Sequence, residues 1–426
     1  MRLSFFAVGI PLLLILIDLY VLKSWSGFVK RRSWRKAWSV VPYILSVMML
    51  AILIFANWSR RSGGELTRWN WALAAVAYIW FVPKLPIVIV LLLKDFFVFV
   101  KKWTIFKDRN SIKNSKQTIL RNKETAHEKD LKTAQEPELE SRRKFVQTLG
   151  WGFAAVPFVV AADGLLRTTR DFTTYNVNVP IPNLPRALDG VRIVQLSDIH
   201  AGSFFSHEPL QEIRRIVSNL RPDMIVITGD FVNFSPKELN VIYSELERFK
   251  APLGVWGSIG NHDHYNTPPE HALLKRGLNQ AGINLLVNQN HVFNIDGAKL
   301  QLAGTDNTGL GQNFADINAA LSGLTAGEPT ILLAHDPTFW DIAIKGKQPI
   351  DLMLSGHTHG GQVGMNFFGK EVSVAQFVYK QWAGLYTERD QHLYVNRGIG
   401  IVGPPFRIGI PPEITHFTLR RAASLA

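Results

Sequence analysis

Five short blocks hold the residues that could do chemistry: Asp198-Ile199-His200, Gly229-Asp230, Gly260-Asn261-His262-Asp263, His335 and Gly356-His357-Thr358-His359. They supply carboxylate, amide and imidazole groups, the ligands that hold divalent first-row metals. The 426 residues include no Cys, which excludes thiolate metal sites, disulfides and a cysteine nucleophile. Oxygen and nitrogen ligation without sulfur leaves Mn, Fe, Zn, Co and Ni open as the metal.

Each block follows an apolar run. Val191–Leu196 leads to Asp198, Met224–Thr228 to Asp230, Gly254–Ile259 to Asn261, Thr330–Ala334 to His335, and Asp351–Leu354 to His357. Runs this rich in Val, Ile and Leu read as buried strands. Lys299–Ala303 and His392–Asn396 are further strands of the same kind. Between them, Pro209–Leu220, Pro236–Phe249 and Pro269–Gln280 have helical spacing, with proline near each start, where it is tolerated. Strand–helix alternation predicts an α/β architecture. In such sheets ligands collect beyond the carboxyl ends of the strands, so five strands would deliver five ligand sets to one edge. Gly229, Gly260 and Gly356 take the positions where the backbone must turn sharply or come close to a ligand.

The ordered blocks, spread over residues 190–360, resemble the calcineurin-like metallophosphoesterases. Gly356–Gln362, Tyr394–Gly400 and Pro411–Ile414 are similar to a membrane-associated bacterial branch of that family. The resemblance implies a four-layer α/β/β/α sandwich with two divalent metal ions. Carried over, Asp198, His200 and His359 would hold one ion, Asn261, His335 and His357 the other, and Asp230 both. A shared carboxylate suits two dications a few ångströms apart, which repel. The resemblance further implies in-line attack on phosphorus by a metal-bridging hydroxide, with His262 as the catalytic residue at the leaving oxygen. Asp263 reads as a residue that orients a ligand, and Asp306 and Asp336 as turn or cap residues. His264 is open to phosphate binding or a plain loop role. Arg397 is open to an anionic head group or a structural ion pair.

The chain divides by charge. Residues 1–169 carry 26 Lys and Arg against 11 Asp and Glu, and residues 170–426 carry 21 against 23. A nucleic-acid enzyme would need its basic footprint on the working domain, so no nucleic-acid partner is expected. The positive charge lies instead beside long apolar runs. Leu3–Leu22, Val40–Ala56 and Trp71–Val100 are long enough to cross a bilayer, and the last is broken by Pro83, Lys84 and Pro86. Asp18 is expected at the membrane interface, and Lys84 at a kink that lets it reach polar ground.

Residues 1–100 therefore read as a transmembrane region of about three spans, and 101–144 as a basic cytoplasmic linker. Residues 145–165 read as a fourth span. With Ser141-Arg142-Arg143-Lys144-Phe145 it resembles a twin-arginine signal-anchor, although Val146 and Gln147 depart from that pattern. The phosphoesterase domain would occupy 170–426. Basic loops at 23–36 and 101–144 place the catalytic domain on the outer face of a bacterial inner membrane. Asn366–Lys370 and Phe377–Trp382 are aromatic-rich and are expected to pack into a core.

The partners implied are the lipid bilayer and a phosphorylated substrate, a phosphomonoester or phosphodiester, with lipid-linked esters within reach of the anchor. Two rival readings remain at this stage. One is a cytoplasm-facing pyrophosphohydrolase of a lipid-sugar nucleotide. The other is a non-enzymatic metal-stabilised receptor or scaffold.

Overall fold

A computed structural model describes residues 10–32, 34–61, 68–115, 145–182, 184–368 and 370–422. The chain forms two compact units, Met1–Phe55 with Leu73–Ala162, and Ala56–Ala72 with Asp163–Ala426.

The first unit is helical. Helices α1 (Ile10–Arg31), α2 (Ala37–Arg61), α3 (Arg68–Phe81) and α4 (Lys84–Ser115) are followed by α5 (residues 145–153) and α6 (Val156–Leu166). The division falls within α2, α3 and α6, whose residues 56–61, 68–72 and 163–166 group with the second unit. Four stretches are long and apolar enough to cross a membrane: Leu12–Arg31, Ala37–Ala56, Ala72–Thr104 and Phe145–Arg170. The third is interrupted at Val82 and Pro83, because proline at 83 and 86 removes backbone donors there. The segment expected as linker from residue 101 begins as the continuation of α4. Its remainder, residues 116–144 with the Arg142-Arg143 pair, lies outside the described residues.

The kink expected at Lys84 is present, and the polar ground it reaches is Asp18. Asp18 is 4% exposed and Lys84 3% exposed, and their side chains form an ion pair between α1 and the start of α4. The Lys84 ammonium also lies 3.7 Å from the centre of the Trp80 ring. A buried charge is expensive unless paired, and the two residues meet that cost together.

The second unit carries the strands: β1 (Thr173–Ile181), β2 (Arg192–Leu196), β3 (Met224–Thr228), β4 (Val255–Ser258), β5 (Ile283–Leu285), β6 (Gln289–Ile295), β7 (Ala298–Gly304), β8 (Thr308–Gly309), β9 (Gln312–Asn313), β10 (Thr330–Leu333), β11 (Leu352–Ser355), β12 (Gly364–Phe367), β13 (Lys370–Ser373), β14 (Gly384–Glu388), β15 (Gln391–Val395) and β16 (Glu413–Arg421). One six-stranded sheet has the order β1-β16-β2-β3-β4-β5, the other β14-β15-β11-β10-β7-β6. β2 to β5 run parallel, as do β7, β10, β11 and β15.

Alternation along the strands builds the layers. Ile193, Met224 and Val226 of one sheet pack with Leu302, Ile331, Leu333, Leu352 and Leu354 of the other. Their neighbours Val194, Ile225 and Ile227 point the opposite way, onto Leu210, Ile213 and Val217 of α7 (Glu208–Asn219) and Leu274 and Leu278 of α8 (Pro268–Gln280). On the far side, Leu332, Met353 and Leu393 pack against Trp340 and Ile344. Successive side chains of a strand face opposite ways, so both faces of the central strands are apolar and buried. The result is the α/β/β/α sandwich.

Pro236–Phe249 is not one helix. A 3₁₀ turn, Pro236–Val241, precedes a short helix, Tyr243–Leu246. Glu238 is drawn back to accept backbone N–H groups of Gly202, Asn233, Phe234 and Ser235, which ties the turn to the loops after β2 and β3.

The aromatic segments expected in a core are corrected. Met365, Phe367, Phe368, Phe377 and Val378 are exposed, on and just after the β12–β13 hairpin. That hairpin joins neither six-stranded sheet, so no layer covers it.

Candidate metal centre

The loops that leave β2, β3, β4, β10 and β11 carry the predicted ligands to one place. Asp198, His200 and His359 form one group whose ligating atoms lie within 4.8 Å of one another, and Asp230, His335 and His357 form another. His262 joins His200 and Asp230 in a third such group.

Five of these residues have left-handed backbone: Asp198 (φ 50°), His200 (45°), Asp230 (54°), His357 (72°) and His359 (52°). Non-glycine residues there cost on the order of 1 kcal/mol or more each, so the surroundings must hold them. Backbone bonds between loops do so. Asp198 N–H donates to Gly229 C=O at 3.1 Å and His200 N–H to Asp230 C=O at 2.9 Å. The Asp263 carboxylate accepts N–H from Asp230 and Phe231 at 2.9 Å and from Gly260 at 3.0 Å, locking the β3 and β4 loops together. Gly260 and Gly356 are required because a Cβ would collide with the Asp230 and Asp198 carboxylates respectively.

The spacing suits metal ions. His200 Nε2 lies 3.0 Å from His359 Nε2, and His359 Nε2 lies 3.3 Å from Asp198 Oδ1. His335 Nε2 is 3.1 Å from Asp230 Oδ2 and 3.3 Å from His357 Nδ1, while the same Asp230 oxygen is 3.5 Å from His200 Nε2. Ligand atoms about 2.0–2.2 Å from one cation are separated by roughly 3–3.5 Å, as here. Asn261 supplies a further sign. Its Nδ2 donates to Tyr265 Oη at 2.9 Å, while its Oδ1 is buried with no hydrogen-bond partner among the described residues. A buried amide oxygen left free is costly unless a cation takes it.

The electrostatic setting of the imidazoles fits groups that could hold a metal ion. Burial pushes His200 down to about 3 and His357 down to about 4, and it holds His359 well below the usual range, so all three are neutral. Burial alone would lower His335 as well. The adjacent Asp230 outweighs it and pushes His335 up to about 10, so a cation would replace a proton there. Burial raises Asp198 to about 6 and, together with the Asp230 charge, Asp263 to about 8.

His262 is set differently. Its Nδ1 is 2.9 Å from the Asn233 carbonyl oxygen, which only an N–H can satisfy, so Nε2 is the free nitrogen. The ring stands edge-on to His200, centroids 4.7 Å apart.

Three residues escaped the sequence reading. Asn233 holds both His262, through its carbonyl, and His200 Nδ1, through its side-chain oxygen at 2.9 Å. Its position three residues after Asp230 is the one available signal. Tyr379 Oη lies 3.1 Å from His357 Nε2. Arg407 is fully buried, donates to the carbonyls of Arg397, Gly398 and Gly400, and reaches within 3.4 Å of His359 Nδ1. The last two carry no pattern, because long chain excursions return them to the site. Arg397 forms structural ion pairs with Glu413 and Glu371. His264 Nε2 pairs with Asp306 Oδ1 at 2.6 Å, and Asp336 caps Thr338.

Comparison with known proteins agrees with this geometry. A family model of the calcineurin-like phosphoesterase transmembrane domain matches residues 1–169, and that of the calcineurin-like phosphoesterase domain matches residues 191–361. The chain is 35% identical over 244 residues to an uncharacterised metallophosphoesterase, YkuE, of Bacillus subtilis, a match covering 56% of this chain and 82% of that protein. It is 34% identical to the transmembrane protein with metallophosphoesterase domain of Danio rerio, over 62% of this chain and 61% of that one. It is 28% identical to the phosphodiesterase YaeI of Escherichia coli, over 54% of this chain and 82% of that one. Similar proteins are thus both bacterial and vertebrate, and the match spans about six tenths of the length of the zebrafish relative.

Proposed function

The chain belongs to the calcineurin-like metallophosphoesterases, and on that premise we propose that it is a membrane-anchored, metal-dependent phosphohydrolase acting on a phosphodiester or phosphomonoester. The observation that carries this reading is the pair of buried ligand groups joined through Asp230, with the partnerless Asn261 Oδ1 beside them. Asp198, His200 and His359 would hold one divalent ion, and Asn261, His335 and His357 the other, with Asp230 between them. Bound there, two such ions supply Lewis acidity toward phosphoryl oxygens and a nucleophile at neutral pH.

The protein's own groups do the rest. The neutral His200, His357 and His359 offer lone pairs without first losing a proton. Asn233 fixes His262 so that its Nε2 can carry a proton to a leaving oxygen. A diester substrate is supported by the name of the E. coli relative, a phosphodiesterase. A lipid-linked ester is supported by the anchor, since the fourth apolar stretch ends at Arg170, just before β1. The basic loops around residues 23–36 and 101–144 favour the outer face for the catalytic domain.

The test uses the full chain in detergent with Mn²⁺ and bis(p-nitrophenyl) phosphate. Asp230→Asn is expected to lower kcat by at least about 100-fold and to reduce bound metal measured by elemental analysis. Equal rates for wild type and variant would refute the hydrolase reading.

A further inference from the structure

The exposed apolar side chains around β12 and β13 form a patch. Phe368 at the hairpin tip is 100% exposed, and Phe377 and Val378, just beyond β13, are 81% and 74% exposed. Met365, Phe367 and Val374 add to them. Isolated exposed apolar residues are ordinary, but a cluster of this kind marks a surface that meets something apolar.

Its base is firmly held. Gly364 N–H donates to Ile408 C=O at 2.8 Å, and Ser373 Oγ donates to Val363 C=O at 3.1 Å. The segment that holds the hairpin also receives the last turn of α6. Arg407 N–H lies 3.3 Å from Gly164 C=O, and a Cβ on Gly164 would collide with the Arg407 carbonyl. Gly164 and Arg407 belong to the same compact unit. The hairpin base and the end of the fourth apolar stretch therefore meet on residues 407–408. Arg407 links the same segment to His359. Exposed Lys370 opens β13 beside the apolar tip, as cations do on surfaces that meet anionic lipid, while exposed Lys380, two residues after Val378, lies 3.4 Å from Asp341 Oδ2.

We propose that the β12–β13 hairpin, with Phe377 and Val378, is a membrane-docking lip that inserts Phe367, Phe368 and Phe377 into the interface of the bilayer the chain itself spans. Connectivity selects lipid as the occupant. Only residues 167–172 separate Leu166 from β1, roughly 25 Å of chain at most, so the domain cannot leave the bilayer surface. The proposal stands whether or not the protein hydrolyses phosphate esters.

The chain lacks Cys, so single labels can be placed in the full-length protein. Phe368→Cys and Phe377→Cys carry an environment-sensitive fluorophore in vesicles of phosphatidylcholine and phosphatidylglycerol. Lys299→Cys, exposed on β7, is the comparison site. The expected result is a blue-shifted emission at 368 and 377 that is quenched by doxyl-labelled lipid, with neither effect at 299. Water-like emission at all three sites would overturn the proposal. So would a blue shift indifferent to doxyl lipid, which would place the patch against a second copy of the chain. Neither readout depends on turnover, so failure here is separable from failure of the hydrolase reading.

Discussion

His262 differs from the other site histidines in what it is free to do. His200 is fixed at Nδ1 by the Asn233 side chain, and His335 at Nδ1 by the Thr228 carbonyl, so each presents Nε2 to the ligand cluster. His262 is fixed at Nδ1 as well but stays half-buried, open to a substrate at the rim. His262→Ala is therefore expected to keep its metal and lose about 10²–10⁴-fold in kcat toward a diester with a poor leaving group. Elemental analysis and steady-state kinetics on one preparation check this. Loss of metal in parallel with activity would make His262 a ligand instead. The candidate ligands were legible in the sequence, because Asp, Asn and His at strand ends, with Asp230, Asn261 and His357 directly after glycine, form a local pattern. Asn233 was not, since one of its two contacts is made by a backbone carbonyl, which any residue could supply.

At the scale of elements, the strands deliver the site because their starts are pinned as well as their ends. Asp223, just before β3, accepts from Arg192 N–H at 2.8 Å and Arg192 Nη2 at 3.1 Å, which sets the register of β2 on β3. Partial burial alone would raise the Asp223 carboxyl. The hydrogen bonds and charge of Arg192 outweigh it and hold the carboxyl below its ordinary value. A lowered folded value means stability that is present above the unfolded value of about 3.9 and is lost as pH falls through the folded one. Asp223→Asn should thus cost up to about 1 kcal/mol near neutral pH, allowing for solvent screening of a half-exposed pair. The gap from wild type should close below about pH 4, as thermal unfolding across pH would show. A gap constant with pH would assign the loss to shape alone. The parallel strands were legible as short Val, Ile and Leu runs. The 3₁₀ turn at Pro236–Val241 was not, because the partners of Glu238 that reshape it include Gly202, on another loop.

Across the whole molecule, the basic half and the near-neutral half are different materials. The helical unit is held by apolar contacts such as Met49, Leu53, Ala77 and Phe81, by hydrogen bonds such as Tyr20 Oη to Asp95 and Trp80 Nε1 to Ser46 Oγ, and by the buried ion pair of Asp18 with Lys84. Removing one partner leaves an unpaired buried charge. Asp18→Leu or Lys84→Leu alone is therefore expected to destabilise the full chain in detergent by about 3–5 kcal/mol, whereas the double variant should recover most of that loss. Thermal unfolding of the three variants checks the coupling. Additive losses would show that the pair does not act as a pair.

The sequence alone determined that an apolar helical region precedes α/β sheets, and it displayed the residue types of the candidate site. Hydropathy, charge and strand endings are properties of neighbouring residues, and neighbours are what a sequence displays. Tertiary structure decided the rest. It put Asp18 against Lys84, brought Tyr379 and Arg407 to the histidines, and left Phe368 and Phe377 outside a core that their composition predicted for them. Each outcome depends on which distant segment arrives opposite, and no periodicity along the chain encodes that meeting.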